Sequence, residues 1–93
     1  MYKRQHLSTI YKNQLRRASF SIVLNIAEGT SRFSNADKRN FYVIARGSVF
    51  ECVAILEFML DEQIITKTFF DSQVELAEEL SIMLMSLIRK FQK

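Results

Sequence analysis

Apolar residues recur along this chain every three or four positions and almost never alternate, which is the period of helices and not of strands. From about Leu7 the series Tyr11, Leu15, Ala18, Ile22 and Ile26 marks one face of a helix that runs to about Gly29, with Lys12, Asn13 and Arg16 off the stripe. A break follows at Gly29-Thr30-Ser31-Arg32-Phe33-Ser34: glycine relaxes φ at a helix end, and Ser34 with Asp37 three residues on is a good N-cap. So short a loop returns the chain antiparallel. The second helix, about 35–61, carries two adjoining stripes. One is Phe41, Ala45, Ser48, Cys52, Ile55 and Met59; the other is Tyr42, Val49, Val53, Leu56 and Leu60. Two stripes predict two neighbouring helices.

A turn at 62–65 leads to Thr66 or Thr68 as the next cap, the latter with Asp71 in the capping-box position. The third helix, about 67–92, has the most regular repeat: Phe70, Val74, Ala77, Ser81, Leu84, Ile88 and Phe91, flanked by Leu76, Leu80, Met83 and Leu87. Its acids Asp71, Glu75, Glu78 and Glu79 come early and Arg89, Lys90 and Lys93 late, as the helix dipole favours. Residues 1–6 show no clear periodicity, and Tyr2-Lys3-Arg4-Gln5 beside the initiator looks like translated adaptor sequence. They are set aside as disordered or extraneous.

The pattern therefore predicts an all-α fold, an antiparallel up-down helical bundle in one domain over residues 1–93. Three long helices are one short of a closed four-helix bundle, so something should cover the open side: a missing N-terminal helix, a second copy of the chain, or a partner protein.

Composition agrees with the pattern. The 93 residues include no proline and two glycines, 48% are apolar, and a domain of this size buries only about two thirds of its unfolded surface. Glu51, Glu57, Asp61 and Glu62 interrupt the greasiest stretch, so nothing approaches the roughly 20 residues of a membrane span. Cys52, the single cysteine, has no internal disulfide partner and suits a reducing cytoplasm.

Charge changes the picture more. Residues 1–50 carry nine Lys/Arg against Glu28 and Asp37, giving +7, whereas residues 51–93 carry four against eight acids, giving −4. Such a split provides either a basic surface for nucleic acid or complementary surfaces that meet within the fold or between subunits. The basic cluster comprises Lys3, Arg4, Lys12, Arg16, Arg17, Arg32, Lys38, Arg39 and Arg46. Folding back at 29–34 would gather Arg32, Lys38 and Arg39 at one end of the bundle. Lys12, Arg16, Arg32, Lys38, Arg39 and Arg46 are accordingly the candidate nucleic-acid contacts, salt-dependent and weakly specific. A merely solubilising surface accounts for the same charges.

A polar seam also runs through the first helix. Arg17, Ser21, Asn25, Glu28 and Arg32 share one side of it, and antiparallel pairing would bring Gly47, Ser48 and Glu51 alongside. Glycine in mid-helix costs about 1 kcal/mol relative to alanine, so Gly47 predicts a close neighbouring backbone. Arg17 with Glu51 and Glu28 with Arg32 are the pairings to expect. The seam reads as a network fixing helix register, as a solvated face, or least of all as an acid/base pair of Glu28 and Glu51. No histidine, phosphate loop or metal-ligand spacing accompanies those carboxylates, so no catalytic residue, metal or cofactor is assigned. His6 is read as a surface histidine, Cys52 as a buried small hydrophobe, and Met59, Met83 and Met85 as core filling.

Taken together, Gln14-Leu15-Arg16-Arg17-Ala18, Ser21-Ile22, Asn25-Ile26-Ala27-Glu28-Gly29, Arg32, Phe41, Ile44-Ala45-Arg46-Gly47-Ser48, Glu51, Glu79-Leu80-Ser81 and Met83-Leu84 resemble the four helix bundle protein family. That family includes the 23S ribosomal RNA intervening-sequence proteins and is similar to the accessory protein of diversity-generating retroelements. The resemblance covers about residues 8–92. It implies a ring-like homopentamer without catalysis and, in the retroelement branch, a basic surface that binds nucleic acid and a reverse transcriptase. Arg16, Arg17, Asn25, Glu28, Arg32, Gly47, Ser48 and Glu51 occupy the signature positions. Two departures are visible: Val23 stands where many relatives have proline, which predicts a straighter helix, and the family's helix ahead of Gln14 is essentially absent, so the chain looks N-terminally truncated.

Overall fold

The computed structural model describes the backbone of residues 2–92 and the side chains of residues 5–92. Met1, Lys93 and the side chains of Lys3 and Arg4, which the sequence places in the extraneous leader, the last turn and the basic cluster, lie outside the described residues. Within them the chain forms three helices: α1 (Tyr2–Ser31), α2 (Asn35–Asp61) and α3 (Lys67–Lys90). The all-α expectation holds; a fourth helix is not among the described residues.

α1 differs most from its expected bounds, starting at Tyr2 instead of about residue 7 and ending at Ser31 instead of Gly29. Lys, Arg and Gln are good helix formers, so nothing in residues 2–6 opposes extension despite the missing apolar period. Gly29 has a negative φ and does not cap the helix. Its task is steric: a Cβ there would stand 2.7 Å from Cε1 of Tyr42.

α2 starts where the sequence says. Ser34, in extended conformation, accepts from the Asp37 amide through its Oγ at 3.1 Å. Of the two candidate caps for α3 the chain uses Thr66, whose Oγ1 accepts from Phe69 N at 3.1 Å, and Asp71 instead pairs with Lys67 along the helix. The turn between α2 and α3 places Gln63 in a left-handed position, φ 60°, and is closed by Ile64 N donating to Met59 O at 2.8 Å.

Cross-helix contacts fix direction and register. Tyr11 stacks on Phe58, Ser21 meets Ser48 and Thr30 meets Tyr42, so α1 and α2 run antiparallel. Arg39 reaches the Phe91 carbonyl and Arg46 reaches Ser81, so α2 and α3 do as well. α1 and α3 nowhere bring their Cα atoms within 8 Å of each other. α2 is thus the shared neighbour, which is why it alone needs two stripes: Ala45, Ser48, Val49, Cys52, Leu56 and Met59 are all buried. Ala18 and Ile22 pack on it from α1, and Leu84 and Ile88 from α3. Of the three helical methionines Met59 is buried and Met85 packs against the core, but Met83 lies on the outer side of α3, one residue from buried Leu84, and fills no core. The particle is 52 × 21 × 13 Å, long and shallow. A groove of about 180 Å³ remains between α1 and α3, floored by Cys52 and Leu56 and walled by Leu15, Ile22, Leu76 and Leu80. This is the open side that three helices leave.

Candidate nucleic-acid interface

The seam resolves into a short hydroxyl relay. Asn25 Nδ2 donates to Ser21 Oγ at 3.1 Å and to the Ser21 carbonyl at 2.7 Å; Ser21 Oγ lies 2.9 Å from Ser48 Oγ; Ser48 Oγ donates to the Ile44 carbonyl at 3.2 Å. The terminal carbonyl can only accept, so each hydroxyl donates one way, from Asn25 toward Ile44. Ser48 is the one buried polar residue among those described, and no buried side-chain nitrogen or oxygen there lacks a partner. Such satisfaction is what lets polar groups sit between helices at little cost.

The other expected seam members lie elsewhere. Arg17 and Glu51 are exposed and form no ion pair with each other. Each sits one residue from a buried neighbour, Ala18 or Cys52, and one residue turns a helix by about 100°. Gly47 is likewise one residue from Ser48 and faces open space, with no atom within 4 Å of a Cβ built on it. The predicted close backbone at Gly47 is therefore not there; Gly29 is the glycine pressed by a neighbour. Glu28 does pair with Arg32 at 2.9 Å, on an exposed surface.

The six candidate nucleic-acid contacts divide into two kinds. Four have structural partners. Lys38 Nζ donates to the Gly29 and Thr30 carbonyls at 3.4 and 3.1 Å, capping the end of α1, and Arg39 Nη1 donates to the Phe91 carbonyl at 3.1 Å beyond the end of α3. Both place positive charge at helix C-termini, where the dipole favours it. Arg32, paired with Glu28, lies 4.8 Å from the centre of the Phe41 ring, and Arg46 lies 4.8 Å from that of Phe50 while its Nε donates to Ser81 Oγ at 3.1 Å. With Arg89 and Lys90 in the last turn of α3, Arg32, Lys38 and Arg39 gather at one end, as folding back at 29–34 predicts.

Lys12 and Arg16 are the second kind. With Arg17 they are exposed on α1 and make no hydrogen bond or ion pair among the described residues. Between and beside them Phe20, Val23 and Leu24 are 61%, 63% and 48% exposed. α1 thus has a second apolar stripe on the side turned from α2, edged by cations over a shallow depression lined by Asn13, Arg16, Arg17, Phe20 and Val23. Phe20 and Leu24 are plain in the sequence, but the inward series through Ala18 and Ile22 already provides this helix with one apolar face and masks the second.

Cys52 is buried with Sγ 3.7 Å from Ser19 Oγ, and burial raises its thiol above the ordinary range, as expected of a small core hydrophobe. His6 is exposed. Among the described residues no group of His, Cys, Asp and Glu could hold a metal ion, and no helix is long and apolar enough to cross a membrane.

Compared with known proteins, residues 3–86 match the family model described as 23S rRNA-intervening sequence protein. No curated protein and no solved structure matches the chain. The match spans all of α1 and α2 but the first residue and most of α3, so the chain belongs to the 23S rRNA-intervening sequence protein family.

Proposed function

Starting from that membership, we propose that this protein is a non-enzymatic, self-associating helical-bundle protein that binds nucleic acid, as RNA or ribonucleoprotein, through its basic surface. The observation that carries the proposal is the outer face of α1: Lys12, Arg16 and Arg17 have no hydrogen-bond or ion-pair partner among the described residues and flank the exposed ring of Phe20. Unpaired cations are free to take phosphates and release counterions, and an exposed ring offers a surface for an unstacked base. The cations at the loop end extend the same field. Glu28 is engaged with Arg32, and neither it nor Glu51 lines any of the three depressions described, which supports a role in structure over acid/base chemistry.

Binding of a structured RNA and of a DNA duplex, each at low and moderate salt, tests the proposal. Affinity should fall steeply with salt. Replacing Lys12, Arg16 and Arg17 by alanine should weaken binding to both and flatten the salt dependence, by roughly 0.9 in log–log slope for each duplex phosphate no longer neutralised. A folded sample with no salt-sensitive affinity for either polyanion would refute it.

The exposed Phe20, Val23 and Leu24, together with Val43, Ile44 and Phe50 on α2, support a second reading, a protein–protein module with no nucleic-acid partner. In that case sedimentation shows a salt-sensitive oligomer, up to the five-membered ring the family resemblance implies, without polyanion affinity. A monomer at every salt concentration excludes self-association under either reading.

A further inference from the structure

The back of the α2–α3 hairpin holds a cavity separate from the outer face of α1. It measures about 390 Å³, within the range of roughly 300–1,000 Å³ typical of ligand pockets. Phe50, Val53, Val74 and Ile82 wall it, and its polar groups are Arg46 on α2 and Glu78 and Ser81 on α3.

Arg46 is preset. Its guanidinium lies over the Phe50 ring, 4.8 Å from the centroid, and its Nε is held by Ser81 Oγ at 3.1 Å. Those two contacts fix the plane and leave Nη1 and Nη2, the paired donors of the fork, without a partner among the described residues. Glu78 lines the same cavity but forms no ion pair with Arg46. A carboxylate in the wall repels phosphate and other anions, so the occupant is not simply a counter-ion for Arg46. It must be flat enough to meet the fork edge-on in the plane of the guanidinium, apolar on its faces, and must carry acceptors on one edge and donors on another.

We propose that this cavity binds one unstacked guanine base. Guanine O6 and N7 are the matching acceptor pair for an arginine fork, and its N1–H and N2–H₂ are the matching donor pair for a carboxylate. Adenine and cytosine each offer the carboxylate fewer donors, and uracil has a single N–H. The proposal rests on the nucleic-acid reading for the source of the base, and it places the base near the cations at the loop end: Arg39 lies two turns before Arg46, about 10 Å along α2.

Two arms test it on the full chain. In the first, single-stranded RNAs of one length, pyrimidine except for a central G, A or inosine, are compared by fluorescence anisotropy. The G strand should bind about tenfold tighter than the A strand, at the lower end of what one bidentate base contact contributes, and inosine, which lacks the 2-amino group, should fall between. Glu78→Gln and Arg46→Lys should each bring the G strand down to the affinity that the same variant shows for the A strand. In the second arm, guanosine and adenosine without phosphate are titrated while the Arg46 Nε–H resonance is followed by NMR. Guanosine alone should shift it, and Ile82→Trp, which fills the cavity from an exposed position, should abolish the shift. If all three RNAs bind equally and guanosine leaves Arg46 unmoved, the pocket is refuted while nucleic-acid binding stands. If guanosine shifts Arg46 but no RNA binds at low salt, the pocket stands and the nucleic-acid reading falls.

Discussion

The two glycines should respond to alanine with opposite signs. Gly29 and Gly47 both lie inside helices with negative φ, so alanine at either removes the backbone-entropy penalty of glycine, a gain of up to about 1 kcal/mol. At Gly47 nothing opposes that gain, since a Cβ meets no atom within 4 Å. At Gly29 the added Cβ would lie 2.7, 3.0 and 3.1 Å from Cε1, Cδ1 and Cζ of Tyr42. That ring is 3% exposed, tilted on Phe91 at 6.1 Å between centroids, and tethered by its hydroxyl to Thr30 Oγ1 at 3.1 Å. It is the body of a held side chain, so relief requires moving the ring or parting the helices. Overpacking of this kind costs about 1–3 kcal/mol, and losing the Thr30–Tyr42 hydrogen bond adds about 1 kcal/mol. Gly29→Ala should therefore be destabilised by about 1–3 kcal/mol net, and Gly47→Ala stabilised by up to about 1 kcal/mol. For a domain of this size each kcal/mol moves Tm by about 4–8 °C. Thermal unfolding followed by circular dichroism at 222 nm, at one concentration at which sedimentation shows a single species, reads both changes. Shrinking the ring in a Gly29→Ala/Tyr42→Leu double variant should recover part of the Gly29→Ala deficit, a coupling that a steric clash predicts and mere helix propensity does not. A Gly29→Ala variant as stable as the parent would refute the steric account.

Three further outcomes follow from the geometry. Ser34→Ala removes the acceptor for the Asp37 amide and should lower stability by about 1 kcal/mol in urea unfolding, whereas Thr68→Ala, one residue inside α3, should change it little. Ser48→Ala breaks the relay at its buried member and should cost about 1–2 kcal/mol by the same measurement. Burial raises the Cys52 thiol, so folding favours its neutral form. That contribution is fully present below the ordinary thiol pKa and is lost as pH rises through it toward the raised value, because the unfolded thiol ionises first. Between pH 7 and 10 the urea midpoint should accordingly fall further for the parent than for Cys52→Ala, and maleimide should label the folded protein at pH 7.5 far more slowly than the urea-unfolded chain.

Apolar period tells most of the fold because burial follows it directly. Every member of both predicted α2 stripes is buried or half-buried, and the third-helix series from Phe70 to Phe91 is the side that faces α2. Capping chemistry locates Ser34 for an equally local reason. The interface is less legible, since a helical wheel gives direction only to within the turn of one residue. Arg17, Gly47 and Glu51 fit the seam by spacing, although Ala18, Ser48 and Cys52 are the neighbours that point inward. Nor does sequence reveal which cation will find a carbonyl. Lys38 and Arg39, candidate contacts by their charge, also hold carbonyls where α1 and α3 end beside them. The outer stripe of α1 is hidden for another reason: one apolar face is all that a helix in a closed bundle requires, and a second has meaning only once the neighbours are in place.

The position of α2 between two helices whose Cα atoms nowhere come within 8 Å of each other sets how the molecule comes apart. The packing is that of a row of nearest neighbours, α1 with α2 and α2 with α3, each pair formed by a hairpin local in sequence. Such low contact order favours rapid folding. It also makes stability divisible: α3 can detach while the α1–α2 hairpin keeps the Ser21–Ser48 relay and the Gly29–Tyr42 contact intact. Amide hydrogen exchange should therefore slow toward the middle of α2, and α3 should exchange through partial openings that leave α1 and α2 protected.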